Sequence, residues 1–228
     1  MTKNKIIVAL DSNNLTKTLK LVSIIKREVF AFKIGYEFFF NFGIDGYHKV
    51  KKICPNIFLD LKLHDIPNTV NKGMLAINKL KPLLTTIHIS GGDQMMKLSK
   101  VENTNMKVLG VTLLTSLNNN QTKKYYNENS IQKIVKNFVK QAKKNNLDGV
   151  VCSPKEIKLI RKIVDEKFII VTPGIRLDGG VILKDDQKRT LNPKKAIELG
   201  ANYLVVGRPI TESATPLNTI KRINSSLK

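Results

Sequence analysis

Apolar, β-branched runs recur along the chain at 6–10, 32–34, 57–63, 85–89, 108–114, 149–151, 168–171 and 203–206. Short continuous runs of this kind read as strands buried on both faces. Between most of them the apolar positions change to a helical period. Leu15, Leu19, Val22 and Ile25 fall on one helical face, and so do Val70, Met74 and Ile77. Ile131, Ile134, Val135, Phe138 and Ala142 repeat the pattern, followed by Ile157, Ile160 and Val164. Asn192-Pro193 supplies an N-cap and a first-turn proline for a short helix that Gly200 closes. A last helix carries Leu217, Ile220, Ile223 and Leu227 behind Thr215-Pro216. The polar stretch from Asn118 to Ser130 reads as a long loop holding a short helix. Eight strands alternating with helices predict an α/β chain, a single (β/α)8 TIM barrel spanning 1–228. A doubly wound open sheet is the alternative, and strand counting does not exclude it.

Polar and reactive residues collect at the C-terminal ends of these strands, where barrel active sites lie. The first strand ends in Asp11 and the second carries Lys33. The third holds Asp60 and Lys62, with Asp65 just beyond it. The fourth runs into His88 and Gly91-Gly92, the fifth into Thr112, Thr115 and Ser116, the seventh into Thr172-Pro-Gly-Ile-Arg176, and the eighth into Gly207-Arg208. A strand places residues i and i+2 on one face, so Asp60 and Lys62 point the same way from an otherwise apolar segment. Unpaired charges are costly to bury. A buried ion pair that only secures the strand end would account for these two residues taken alone. Backbone amides and an arginine after the last strand form the expected phosphate site of such barrels. Together the strand ends describe a pocket for a small phosphorylated molecule.

Composition narrows the picture. The 228 residues are 42% hydrophobic and 25% charged, ordinary for a globular chain, and no run approaches a membrane span of ~20 apolar residues. The N-terminal apolar run is too short for a signal peptide and meets Asp11, so a cytoplasmic location is expected. Cys54 and Cys152 lack metal-type spacing and read as reduced thiols near the core. The net charge of +21 would suit a nucleic-acid or membrane partner. Its lysines are scattered along the chain, however, and the abundance of Lys, Asn and Ile points to a compositional bias, so neither partner is expected. The charge would still attract an anionic substrate.

Asp60-Leu-Lys-Leu-His-Asp-Ile-Pro-Asn-Thr69 resembles the signature of the orotidine 5′-phosphate decarboxylase family. The likeness extends to Val8-Ala-Leu-Asp11, Lys33-Ile-Gly, Val150-Val-Cys-Ser-Pro154, Asp186-Gln-Lys-Arg189 and Val206-Gly-Arg208, and so covers essentially the whole chain. The resemblance implies a cofactor-free, metal-free decarboxylation of orotidine 5′-phosphate to UMP and carbon dioxide. It makes Lys62 the proton donor to C6, with Asp60 and Asp65 flanking it. It assigns Asp11 and Lys33 to the ribose hydroxyls and Thr115, or its neighbour Ser116, to the pyrimidine edge. Arg176, Gln187, Gly207 and Arg208 would surround the phosphate, with Gln187 on a closing loop. Asp65 and Thr69 would reach the site of a partner subunit, which implies a homodimer with shared sites. Two departures stand out. The segment from Arg176 to Gln187 is slightly longer and more apolar than the family pattern, and Ile89 replaces a smaller residue.

Plainer roles are expected for the remaining candidates. His64 and His88 read as packing or bonding groups near the strand ends, His48 as a surface residue, and Phe38-Phe-Phe40 as core or interface. Two other functions remain open on the residues alone. One is a sugar-phosphate lyase or decarboxylase on the same scaffold, working through a metal-stabilised enediolate. The other is a basic nucleic-acid-binding protein without catalysis, which the intact Asp60, Lys62, Asp65 and Thr69 argue against.

Overall fold

Strand pairing decides between the closed and the open sheet. The computed structural model describes residues 4–175 and 191–227. Its strands are Ile6–Ala9 (β1), Ala31–Ile34 (β2), Ile57–Leu63 (β3), Leu84–His88 (β4), Lys107–Val111 (β5), Gly149–Val151 (β6), Ile169–Thr172 (β7) and Tyr203–Val206 (β8). Each pairs in parallel with its neighbours in sequence, and β1 pairs with β8, so the sheet is a closed (β/α)8 barrel. The α-helices among the described residues are Leu15–Ile25 (α1), Tyr36–Ile53 (α2), Pro67–Leu80 (α3), Gly92–Leu98 (α4), Asn119–Tyr126 (α5), Ile131–Lys144 (α6), Ile157–Arg161 (α7), Pro193–Glu198 (α8), Arg208–Thr211 (α9) and Pro216–Ser226 (α10).

The strands read as continuous apolar runs because both their faces are covered. Ile7, Ala9, Phe58, Leu84, Leu109 and Val171 belong to a cluster made only of strand residues, the packed interior of the barrel. Ile6, Val8, Phe32, Ile57 and Leu59 alternate with them and join Val22, Ile25, Val70 and Met74 of the helices in the larger outer core. One step of two beyond Ala9, Ala31 and Phe58, the inward face carries Asp11, Lys33 and Asp60. The interior is thus apolar below and charged at the C-terminal mouth.

Local signals set most of the helix starts. The side chains of Asn14, Ser130 and Asn192 cap α1, α6 and α8, and Asn118 forms a reciprocal capping box with Gln121 at α5. Gly43, at φ 56°, breaks α2 into two helical segments. The fifth apolar run continues past its strand. β5 ends at Val111 instead of Leu114, and Leu113 beyond it is buried without ladder pairing. Ile89, the bulky departure after His88, is also buried, and it sits over Gly110, where an added Cβ would come within 2.6 Å of its side chain.

The opposite end of the barrel is tied by structural charges. Asp148 accepts from the Val108 amide and pairs with Lys100 and Lys107. Arg161 donates to the carbonyls of Phe168 and Gly200. Close approach of β6 and β7 depends on Gly149, where a Cβ would collide with the Ile169 carbonyl. Gly149→Ala should therefore destabilise the barrel by about 1–3 kcal/mol or more, read as a lower urea midpoint. An unchanged midpoint would mean that the two strands can separate without cost.

Candidate active site

At the mouth lies a cavity of about 660 Å³, a size suited to a small-molecule ligand. Asp11, Lys33, Asp60 and Lys62 line it together with Leu114 and Thr115, and Gly207 and Arg208 stand at the start of α9. Apolar contributions come from Val111, Leu113, Val151 and Val205. β1, β2, β3, the segment after β5 and the β8–α9 junction thus converge on one space.

Four charges of alternating sign cross the cavity wall. Lys33 Nζ lies 3.2 Å from Asp11 Oδ1 and 3.7 Å from Asp60 Oδ2. Lys62 Nζ lies 2.9 Å from the same Asp60 Oδ2. Asp60 is only 6% exposed. Burial pushes its carboxyl pKa up, but the charges of Lys33 and Lys62 and the hydrogen bonds from Lys62 and Thr86 outweigh burial and hold it below the usual carboxylate range. Asp60 is therefore ionised at neutral pH. Its folded pKa is depressed, so it stabilises the fold above the unfolded value, and that contribution is lost as pH falls through the folded value.

The strand does not bring Asp60 and Lys62 together by simple alternation. Leu59 pairs with Thr85 and Leu63 with Ile87, so four steps along β3 match two along β4. Asp60, Leu61 and Lys62 bulge opposite Thr86, and Lys62 takes φ 44°. A left-handed backbone at a residue with a Cβ costs about 1–2 kcal/mol. The buried Thr86 hydroxyl accepts from the Lys62 amide at 2.9 Å and donates to Asp60 Oδ1 at 2.9 Å. On the outer side the Tyr36 hydroxyl donates to the Leu61 carbonyl at 3.1 Å, and the Tyr36 ring lies 5.8 Å from Lys62 Nζ.

The expected site residues separate into three groups. Asp11, Lys33, Asp60, Lys62, Thr115, Gly207 and Arg208 line the one cavity; of the two residues expected at a pyrimidine edge, Thr115 is in its lining and Ser116 is not. Asp65 and Thr69 are exposed outside this cavity, on the loop after β3 and in the first turn of α3, and Asp65 Oδ1 accepts from the Ile66 amide. Within the chain, Asp60 flanks Lys62, whereas Asp65 stands apart from the four-charge array among the described residues. Arg176 and Gln187 lie outside the described residues. Thr86 and Tyr36 were not singled out from the sequence. The available signal for Thr86 was its spacing of two from His88 within an apolar strand, which gives it the inward face.

A sequence model of the orotidine 5′-phosphate decarboxylase / HUMPS family matches residues 4–223. The chain belongs to this family. It is 43% identical over 226 residues to an orotidine 5′-phosphate decarboxylase of Wolbachia sp. subsp. Brugia malayi, covering 98% of this chain and 99% of the relative. Identity to the protein of that name from Trichlorobacter lovleyi is 42% over 228 residues, covering 97% and 94% of the two chains. The crystal structure of orotidine 5′-phosphate decarboxylase from Lactobacillus acidophilus superposes with a TM-score of 0.83 at 36% identity, covering 99% of both chains. No helix among the described residues is long and apolar enough to cross a membrane.

His88 sits beside the charged array, its ring centroid 5.1 Å from that of His64. Burial, with the nearby His64 and Lys62, pushes its pKa down to about 4 against the opposing pull of Asp60. The ring is neutral at neutral pH. In the unfolded chain a histidine gains its proton near pH ~6.5, so the unfolded state binds more protons below that value. Stability should fall from about pH 6.5 toward the folded value. His88→Asn should flatten that slope in urea midpoints measured between neutral and mildly acidic pH, and an unchanged slope would assign it to other groups.

Proposed function

We propose that this chain decarboxylates orotidine 5′-phosphate to UMP and carbon dioxide without a cofactor, using Lys62 as the proton donor to C6. The observation that carries this reading is the alternating array Asp11–Lys33–Asp60–Lys62 on the wall of a cavity that ends at Gly207 and Arg208. The C6–carboxylate bond breaks with its electron pair left on C6. That carbanion lies in the plane of the pyrimidine, where the ring cannot delocalise it. A fixed ammonium beside C6 stabilises the pair as it forms and then transfers a proton to it.

Asp60 serves the same step from the other side. Its carboxylate is ionised in the free site and would stand near the substrate carboxylate. Two like charges ~4 Å apart repel by about 4 kcal/mol at an effective dielectric of ~20. The repulsion is relieved as neutral carbon dioxide leaves. Removing carbon dioxide also leaves Lys62 between Asp60 and the new carbanion, so its charge is best matched in the transition state.

The remaining residues bind. Asp11 and Lys33 hold the ribose hydroxyls, and Thr115 meets the pyrimidine edge. Gly207 and Arg208 take the phosphate, Arg208 through its fork of donors, with Arg176 and Gln187 as further phosphate ligands. Phosphate binding remote from C6 supplies energy that is used at the reacting carbon. The +21 net charge favours encounter with an anionic nucleotide.

Asp65 and Thr69 complete the site of a second copy of the chain in a homodimer. Supporting this, Ile66 is 66% exposed between them, and Tyr36 and Phe40 form a stacked, largely exposed pair. Apolar side chains gathered beside polar site residues suit an interface that buries them.

Ultraviolet turnover of orotidine 5′-phosphate in EDTA should persist for the unaltered chain and disappear in Lys62→Ala. Absence of turnover in the unaltered chain, or its loss on chelation, would overturn the cofactor-free reading. Shared sites have a separate test. Mixing inactive Lys62→Ala and Asp65→Ala subunits under exchange should restore about a quarter of normal turnover by random pairing, because each mixed dimer regains one intact site. No recovery despite subunit exchange would confine the site to one chain.

A further inference from the structure

The Leu61 carbonyl and the Lys62 amide are the two ends of a single peptide unit, and each end is held by a hydroxyl from a different element. Tyr36, the first residue of α2, donates to the carbonyl. Thr86, in the middle of β4, accepts from the amide. We propose that this peptide is a positioning clamp for the proton donor, with Tyr36 and Thr86 as positioning residues that act through Lys62. The proposal deepens the decarboxylase reading and rests on Lys62 as the donor.

A planar peptide pinned at both ends cannot rotate, so the torsions on either side of it are fixed. One of these is the positive φ of Lys62. In a regular strand, residues two apart are displaced by ~6.6 Å along the chain. The bulge on β3 matches four steps to two on β4, and in that bulged geometry Lys62 Nζ sits 2.9 Å from Asp60. Relaxation of the peptide toward ordinary extended geometry would carry the ammonium away from the carboxylate.

The chemistry of each partner fits its place. An ionised carboxylate only accepts and an amide only donates. Thr86 lies between an amide and Asp60, and a hydroxyl satisfies both at once with one fixed orientation. Thr86 therefore couples the backbone of Lys62 to the carboxylate that holds its side chain. Burial and the charge of Asp60 raise the Tyr36 pKa, which keeps the phenol a donor at neutral pH. Tyr36 is half exposed, so removing its hydroxyl leaves the core intact.

The test uses Tyr36→Phe, Thr86→Val and Thr86→Ser in the full chain, with folding checked by near-ultraviolet circular dichroism. Tyr36→Phe keeps the ring near Lys62 and should lower kcat about tenfold, and Thr86→Val about a hundredfold, with KM changed by less than about threefold. Thr86→Ser should stay within about threefold of the unaltered chain. In Thr86→Val the acid limb of kcat/KM should also move to higher pH, since Asp60 loses a donor. Amide exchange of Lys62, followed by nuclear magnetic resonance without substrate, should quicken at least about tenfold in Thr86→Val. Folded variants with unchanged kcat and unchanged exchange, or with KM alone altered, would overturn the clamp. If Thr86→Val fails to fold, Tyr36→Phe decides by the same kinetic split. If the unaltered chain turns over no orotidine 5′-phosphate, the decarboxylase reading fails, while Lys62 amide exchange still judges the clamp.

Discussion

A carboxylate held out of water near the end of β3 sets the terms for the rest of the site. An ionised group at 6% exposure is tolerated only when its oxygens are fully engaged. Asp60 meets that demand with Lys33 from β2, Lys62 from its own strand and Thr86 from β4. Three adjacent strands are therefore tied through one carboxyl group. Loss of any one partner would leave the others charged or unpaired in a confined space, which is why the array behaves as a unit.

The barrel divides its labour along its axis. Beneath the array, Ile7, Phe58, Leu84 and Leu109 fill the interior with apolar volume. This floor keeps water from reaching the charges from below and fixes the strand ends that carry them. At the far end, Asp148 and Arg161 join strands and turns through backbone bonds and ion pairs. The strained backbone of Lys62 stands at the mouth. Strain of that kind persists where surrounding bonds over-determine it, and the two hydroxyls on the Leu61–Lys62 peptide supply that restraint.

Electrostatic preorganisation follows from this division. Asp60 is paired with Lys33 and Lys62 before any ligand arrives, so under the proposed mechanism little reorganisation would accompany the reaction. Membership of the orotidine 5′-phosphate decarboxylase / HUMPS family gives the array its chemical meaning. The geometry in turn gives a physical account of how a carbanion could form and be protonated without a cofactor to hold its electrons.

Much of the architecture was legible in the chain itself. The apolar runs at 57–63, 149–151 and 203–206 coincide with β3, β6 and β8, because a strand buried on both faces leaves an unbroken apolar record. Capping residues marked α1, α6 and α8 because an N-cap is a local contact. Charged residues at strand ends announced the site for the same reason: an ionisable group inside an apolar run needs a partner. Closure of the sheet was not written locally, since it depends on β1 meeting β8 across the whole chain. Leu113 extended the fifth run past its strand because burial and ladder pairing leave the same apolar mark. Alternation puts Asp60 and Lys62 on one face, yet in the structure they meet within a register shift against β4. The spacing of Thr86 from His88 marked only the face it occupies, and neither its partner nor that of Tyr36 was written locally, because each meets the Leu61–Lys62 peptide from an element 24 or 25 residues away. Periodicity and caps act over a few residues and can be read along the chain. Register, closure and the partner of a particular amide are set by neighbouring strands, so only the tertiary structure decided them.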